Sequence, residues 1–138
     1  MKKVLLISHG YMARGIVSSV DIILGKQDNL EYLSAYVEGE SPFENELKKI
    51  IDDNKDNDLI ILTDLLGGSV NNEVMSMVDG KDNIHLITGM NLILVISILL
   101  ADDSNLPEQI NKIIDESRKG IIYFNDSTII QDEGLDDF

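Results

Sequence analysis

The sequence predicts a single α/β domain: one open, mainly parallel four-stranded sheet in the order 2-1-3-4, with helices on both faces. Three observations point to it. Short apolar runs alternate with segments of helical period as far as about residue 120, the pattern of strands joined by crossover helices. Two of these runs, residues 4–7 and 59–62, are apolar at every position, as strands covered on both faces must be. Polar and glycine-rich groups stand directly after them, Ser8-His9-Gly10 after the first and Thr63-Asp64 after the other.

The elements follow in order. Residues 4–7 form the first strand. Met12, Ile16, Val20, Ile23 and Leu24 then recur at helical spacing, and Gly25 ends that helix. A second strand is expected over residues 31–37, where Tyr32, Ser34 and Tyr36 alternate with Leu33, Ala35 and Val37. Ser41-Pro42-Phe43-Glu44 reads as a helix start, with serine as N-cap, proline at the first helical position and glutamate closing a capping box. The buried face of this helix is Phe43, Leu47, Ile50 and Ile51.

Residues 59–62 form the third strand, and a helix with Val70, Val74, Met77 and Val78 inward follows Ser69. Residues 84–87 form the fourth strand. The next helix, from Asn91 to Leu100, is apolar almost all round. A last helix, residues 107–119, buries Ile110, Ile113 and Ile114, and Arg118 and Lys119 suit the negative end of its dipole. Two β-like runs, residues 121–124 and 128–130, lead into an acidic tail. Residues 1–120 are therefore taken as the domain core, and residues 121–138 as a C-terminal strand segment and tail of the same domain.

Composition narrows the function. The 138 residues carry a net charge of −14, which repels phosphate backbones and argues against nucleic-acid binding. With no cysteine there is neither a disulfide framework nor a thiolate site. The apolar run after Lys2-Lys3 is too short for a signal peptide, and residues 92–101 fall far short of the roughly 20 apolar residues of a membrane span. A cytoplasmic protein without cofactor is expected.

His9 and Asp64 carry the chemical argument. Ligands of open α/β sheets bind beyond the carboxyl ends of the strands, where the strand order reverses. In the order 2-1-3-4 the first and third strands are neighbours at that point, so His9 and Asp64 face each other. A carboxylate that takes the proton on one ring nitrogen fixes the tautomer and frees the other nitrogen as a nucleophile. Gly67-Gly68-Ser69 opens the third helix, where backbone amides can meet an anion and the serine hydroxyl can donate to a phosphoryl oxygen. A strand-end histidine or an N-cap serine alone is an ordinary structural feature; the combination is not.

No lysine follows the glycines, so this is not a nucleotide P-loop. His85 reads as a sheet-face histidine, and no cluster is spaced for a metal ion. The Asp102-Asp103 and Asp132-Glu133 pairs read as solvated surface, and Met75 and Met77 as helix packing.

Ile7-Ser8-His9-Gly10, the stretch from Leu62 to Asn71 (LTDLLGGSVN) and Thr88-Gly89-Met90-Asn91-Leu92 together resemble three motifs of the mannose-type IIA components of the sugar phosphotransferase system. The similarity spans roughly residues 2 to 120. It implies a carrier that takes a phosphoryl group on His9 from the histidine phosphocarrier protein and passes it to a IIB component. In this resemblance Asp64 orients His9 and Ser69 lies on the phosphate side, and Gly10, Gly67 and Gly68 are expected to bind the phosphoryl group with it. Membrane contact would come only through the transporter subunits. Val70 and Ile93 stand where the family usually has proline.

A phosphoryl-donor subunit for a dihydroxyacetone kinase shares this chemistry. A non-catalytic regulator and a flavodoxin-type binding module share the fold, but retention of both His9 and Asp64 argues against these two. A homodimer is expected, because the apolar fourth helix needs cover on every side. The C-terminal strands are suited to exchange between subunits, as the resemblance also implies.

Overall fold

A computed structural model describes residues 2–126. Its four parallel strands are β1 (Lys2–His9), β2 (Leu30–Ala35), β3 (Asp58–Thr63) and β4 (Ile84–Thr88), in the spatial order β2-β1-β3-β4. The helices are α1 (Met12–Leu24), α2 (Phe43–Asp53), α3 (Ser69–Val78), α4 (Leu92–Leu100) and α5 (Leu106–Arg118). This is the expected sheet, order included.

Side chains alternate between the two faces of a strand, and the continuous runs divide accordingly. Val4, Leu6, Ile60 and Leu62 pack with Ala13, Val20, Leu94, Val95 and Ile110 beneath α1, α4 and α5. Leu5, Ile7, Leu59 and Ile61 pack with Phe43, Leu47, Val70 and Val74 beneath α2 and α3. With helices on both sides, an unpaired polar residue in the middle of β1 or β3 would be buried without water, and residues 4–7 and 59–62 are apolar at every position.

The structure corrects several boundaries. β1 is longer than its apolar run, because Lys2 and Lys3 pair with Asp58 and Leu59 of β3 while Ser8 and His9 pair with Ser34 and Ala35 of β2. β2 ends at Ala35, short of the expected Val37, since Tyr36 takes a left-handed backbone (φ 61°) that breaks the extended chain. The expected capping box does not form. Pro42 occupies the N-cap position of α2 in an extended conformation, no side chain caps the helix, and Glu44 and Glu46 face the dipole from the first turn. α5 begins at Leu106, one residue before the proline.

The run over residues 121–124 is not a strand in this chain. Ile121 to Tyr123 have no regular structure, and Phe124–Asp126 form a 3-10 turn. Residues 128–130 and the Asp132-Glu133 pair lie outside the described residues.

Asp102 and Asp103 are more than solvated surface. Asp102 accepts hydrogen bonds from the Ser104 amide (2.9 Å) and Gln109 (3.0 Å), and Asp103 pairs at 3.2 Å with the buried Lys2 ammonium, which also reaches the Ala101 carbonyl. Met77 packs on the second core as expected, whereas Met75 is exposed. Among the described residues, no helix is long and apolar enough to cross a membrane.

Candidate functional site

β1 runs past its last pair with β3, Ile7 with Thr63, so Asp64 leaves the sheet beside the end of β1. Asp64 Oδ2 accepts the His9 backbone amide at 2.8 Å and meets the ring Nδ1 at 2.7 Å, and Oδ1 accepts the Leu65 amide at 2.9 Å. The Asp64 side chain is 7 % exposed and that of His9 42 %, so a covered carboxylate holds an open imidazole.

Burial pushes the Asp64 carboxyl upward, but the His9 amide, the His9 ring, the Leu65 amide and the charge of His9 together hold it below the usual carboxylate range. An ionised carboxylate only accepts, so Nδ1 carries the proton and the Nε2 lone pair is free.

Ser69 lies on the Nε2 side, its Oγ 3.3 Å from that nitrogen. It is the first residue of α3, not its cap. Gly68 is the N-cap and no side chain caps the helix, which leaves the Ser69 hydroxyl for the histidine. The first amides of α3 have no intrahelical acceptor, and they begin beside the ring: a β-carbon at Gly68 would lie 3.7 Å from His9 Cε1.

Gly67 turns the chain into this helix with φ 76°, a conformation a side chain would strain. The Asn72 side-chain amide donates to the Gly67 carbonyl at 3.3 Å. Gly10 also has a positive φ, but its amide donates to the Ala35 carbonyl at 2.9 Å and so serves the turn between β1 and α1.

Three further features support the site. The buried Thr63 hydroxyl donates to Asn71 Oδ1 at 2.7 Å, tying the end of β3 to the first turn of α3 across the Asp64–Gly68 loop. The Thr63 carbonyl accepts the amides of Gly89 and Met90 at 3.0 and 3.1 Å, and Asn91 caps α4 through the Leu94 amide, so the third motif braces the site without entering it. Tyr36 donates to Ser69 Oγ at 3.0 Å, and its ring stands 5.3 Å from that of His9. Alternation placed Tyr36 in a strand. Only the Glu38-Gly39 pair just after it hinted at a turn.

His85 meets Asp58 at 3.2 Å, away from the site. Among the described residues, no group of three His, Asp or Glu side chains is placed to hold a metal ion.

An open parallel sheet with a histidine–carboxylate pair at its switch point defines the class: a doubly wound α/β domain whose paired histidine stands at the surface. The sequence profile of the fructose IIA component of the phosphotransferase system, the mannose-type IIA family, matches residues 3–126, and the chain belongs to this family. Membership makes it a phosphotransferase component.

The mannose-specific EIIAB component of Escherichia coli K12 is 26 % identical over 122 residues, which cover 83 % of this chain and 36 % of that protein. The chain thus spans little more than a third of the length of the curated relatives it matches. Solved structures share the fold, two of them as follows. One, from Klebsiella pneumoniae, is described as a phosphoenolpyruvate-dependent sugar phosphotransferase system permease; it is 33 % identical with a TM-score of 0.83, covering 91 % of this chain and 92 % of that one. The phosphotransferase system component EIIA of Streptococcus agalactiae is 27 % identical with a TM-score of 0.74, covering 91 % and 98 %.

Proposed function

We propose that this chain is a phosphoryl carrier of a sugar phosphotransferase system, loaded on His9 Nε2 by the histidine phosphocarrier protein and unloaded by a IIB component. The observation that carries this reading is the line from Asp64 through His9 to Ser69. Asp64 at 2.7 Å fixes the proton on Nδ1, and Ser69 at 3.3 Å stands where a group on Nε2 would need a donor. In transfer, the donor nitrogen–phosphorus bond breaks with the pair staying on the donor nitrogen, and the Nε2 lone pair forms the new bond. His9 keeps its Nδ1 proton, and Asp64 stabilises the positive charge that develops on the ring.

Gly67, Gly68 and the start of α3 offer amides to the phosphoryl oxygens. Gly10, whose amide is engaged elsewhere, would act by shaping the turn after His9. Family membership and the EIIAB name of the relatives support a phosphocarrier donor and a IIB acceptor, working in the cytoplasm. The reading extends to a homodimer. Thr88 and Ser117 line the groove between β4 and α5, and their buried hydroxyls have no hydrogen-bond partner among the described residues. A strand from a second subunit, laid along the outer edge of β4, would supply one.

Incubation with phosphoenolpyruvate, enzyme I and the phosphocarrier should yield an acid-labile, base-stable phosphoadduct that maps to His9. His9→Gln should abolish the label. A label that persists in that variant, or maps to His85, refutes the proposal.

A further inference from the structure

We propose that Tyr36 is a positioning residue for phosphoryl transfer, acting through the hydroxyl of Ser69. The inference rests on reading His9 as the phosphoryl acceptor. Tyr36 is 65 % exposed, so its place is not set by burial. It is also one of two non-glycine residues with positive φ among the described residues, and a left-handed backbone is costly for a residue with a bulky side chain.

The effect of that conformation on the ring is specific. Leu5, Ile7 and His9 share one face of β1, and Ala35 packs in the core on that same face. In a chain that stayed extended, Tyr36 would follow Ala35 onto the opposite face, away from His9. The φ of 61° turns it back. The ring then stands beside His9 with its plane tilted by 43°, and rests edge-on against the buried Phe43, with centroids 6.4 Å apart. Strain retained at an exposed position beside a reactive group suggests a role in function.

Counting protons gives the role. The Ser69 hydroxyl has one proton to donate and lone pairs to accept with. The Tyr36 hydroxyl donates into one of those pairs at 3.0 Å, which fixes the rotor. The Ser69 proton is thereby directed to the side of His9 Nε2, 3.3 Å away. When Nε2 bonds to phosphorus, that proton passes its hydrogen bond to a phosphoryl oxygen, and both hydroxyls keep their protons throughout.

The test is a double-mutant cycle on the intact chain, with the phosphorylated phosphocarrier as donor. Tyr36→Phe keeps the ring and removes one donor. It should lower the limiting rate of transfer about three- to tenfold, the range of one hydrogen bond, with KM for the phosphocarrier unchanged. In the Ser69→Ala background the same change should have no further effect. Effects that multiply, or a raised KM at an unchanged limiting rate, overturn the inference, because Tyr36 would then act independently of Ser69 or as a docking contact.

Tyr36→Asn, whose side chain tolerates a left-handed backbone, should stay folded and reproduce the loss of rate; a rate equal to wild type in that variant overturns the inference. A readout free of partners separates this inference from the carrier reading. In nitrogen-15 spectra of His9, Tyr36→Phe should shift the Nε2 resonance and leave Nδ1 in place. An unmoved Nε2 refutes the positioning role whether or not the chain accepts a phosphoryl group, whereas failure of the wild type to label at His9 refutes only the carrier reading.

Discussion

Asp64 Oδ2 is shared by two donors of one residue, the amide and the ring of His9, so the carboxylate fixes both the backbone and the side chain of its partner. Asparagine at this position would keep the shape but could present a donor to Nδ1, favouring the tautomer whose lone pair faces the wrong way. Asp64→Asn should therefore slow transfer about 10²- to 10⁴-fold, the span of general acid–base effects, and a rate within about threefold of wild type would reduce Asp64 to a strand-end residue. The same bonds set an acid dependence. The folded carboxyl titrates below the ordinary 3.8 of aspartate, so near that pH the unfolded chain binds more protons at this position than the folded one. Its contribution to stability is complete above 3.8 and is lost as the pH falls through the lower folded value. Carbon-13 titration of the Asp64 carboxyl should show a midpoint below 3.8, and the Asp64→Asn variant should lose less stability than wild type over that acid range.

At the scale of elements, Thr63 joins three of them: it ends β3, its hydroxyl holds Asn71 at the start of α3, and its carbonyl holds the turn after β4. Thr63→Val preserves the shape but leaves the buried Asn71 oxygen without its donor. The expected cost is about 1–3 kcal/mol, read as a lowered urea midpoint at unchanged slope, with slower transfer because the Asp64–Gly68 loop loses its brace. An unchanged midpoint would show that water replaces the hydroxyl. What the sequence made legible follows the same physics. β1 and β3 were readable because burial on both faces excludes polar residues, and with them came His9 and Asp64 at the strand ends. Thr63 and Asn71 were not, since a buried side-chain hydrogen bond has no periodicity. Tyr36 was misplaced because its pattern obeys strand alternation while its backbone does not. Ser41 satisfied every rule of a capping box, yet the extended Pro42 took the N-cap position. The run from Ile121 has the composition of a strand but takes no regular structure over Ile121 to Tyr123 and a 3-10 turn from Phe124.

At the scale of the whole molecule, large apolar side chains stand open near the end of the described residues: Ile121 and Tyr123 are both more than two-thirds exposed. α4 is better covered than its composition suggested, with Leu94, Val95, Ile96 and Ile98 buried by the rest of the chain and Leu100 open. The case for pairing therefore rests on the C-terminal segment and the β4 edge more than on α4. Light scattering at micromolar concentration should give twice the 15.4 kDa of one chain, and deletion from Ile121 onward should release monomers. A mass of 15.4 kDa throughout that range refutes the dimer.

The openness of His9 also sets a clock. An imidazole that is 42 % exposed is open to a docking protein, and to water at all other times. On the carrier reading, a phosphoryl group parked there would leak by hydrolysis while it waits. The loaded protein would then hold its charge only for the lifetime of that bond, and the supply of acceptor would determine whether it is delivered or dissipated.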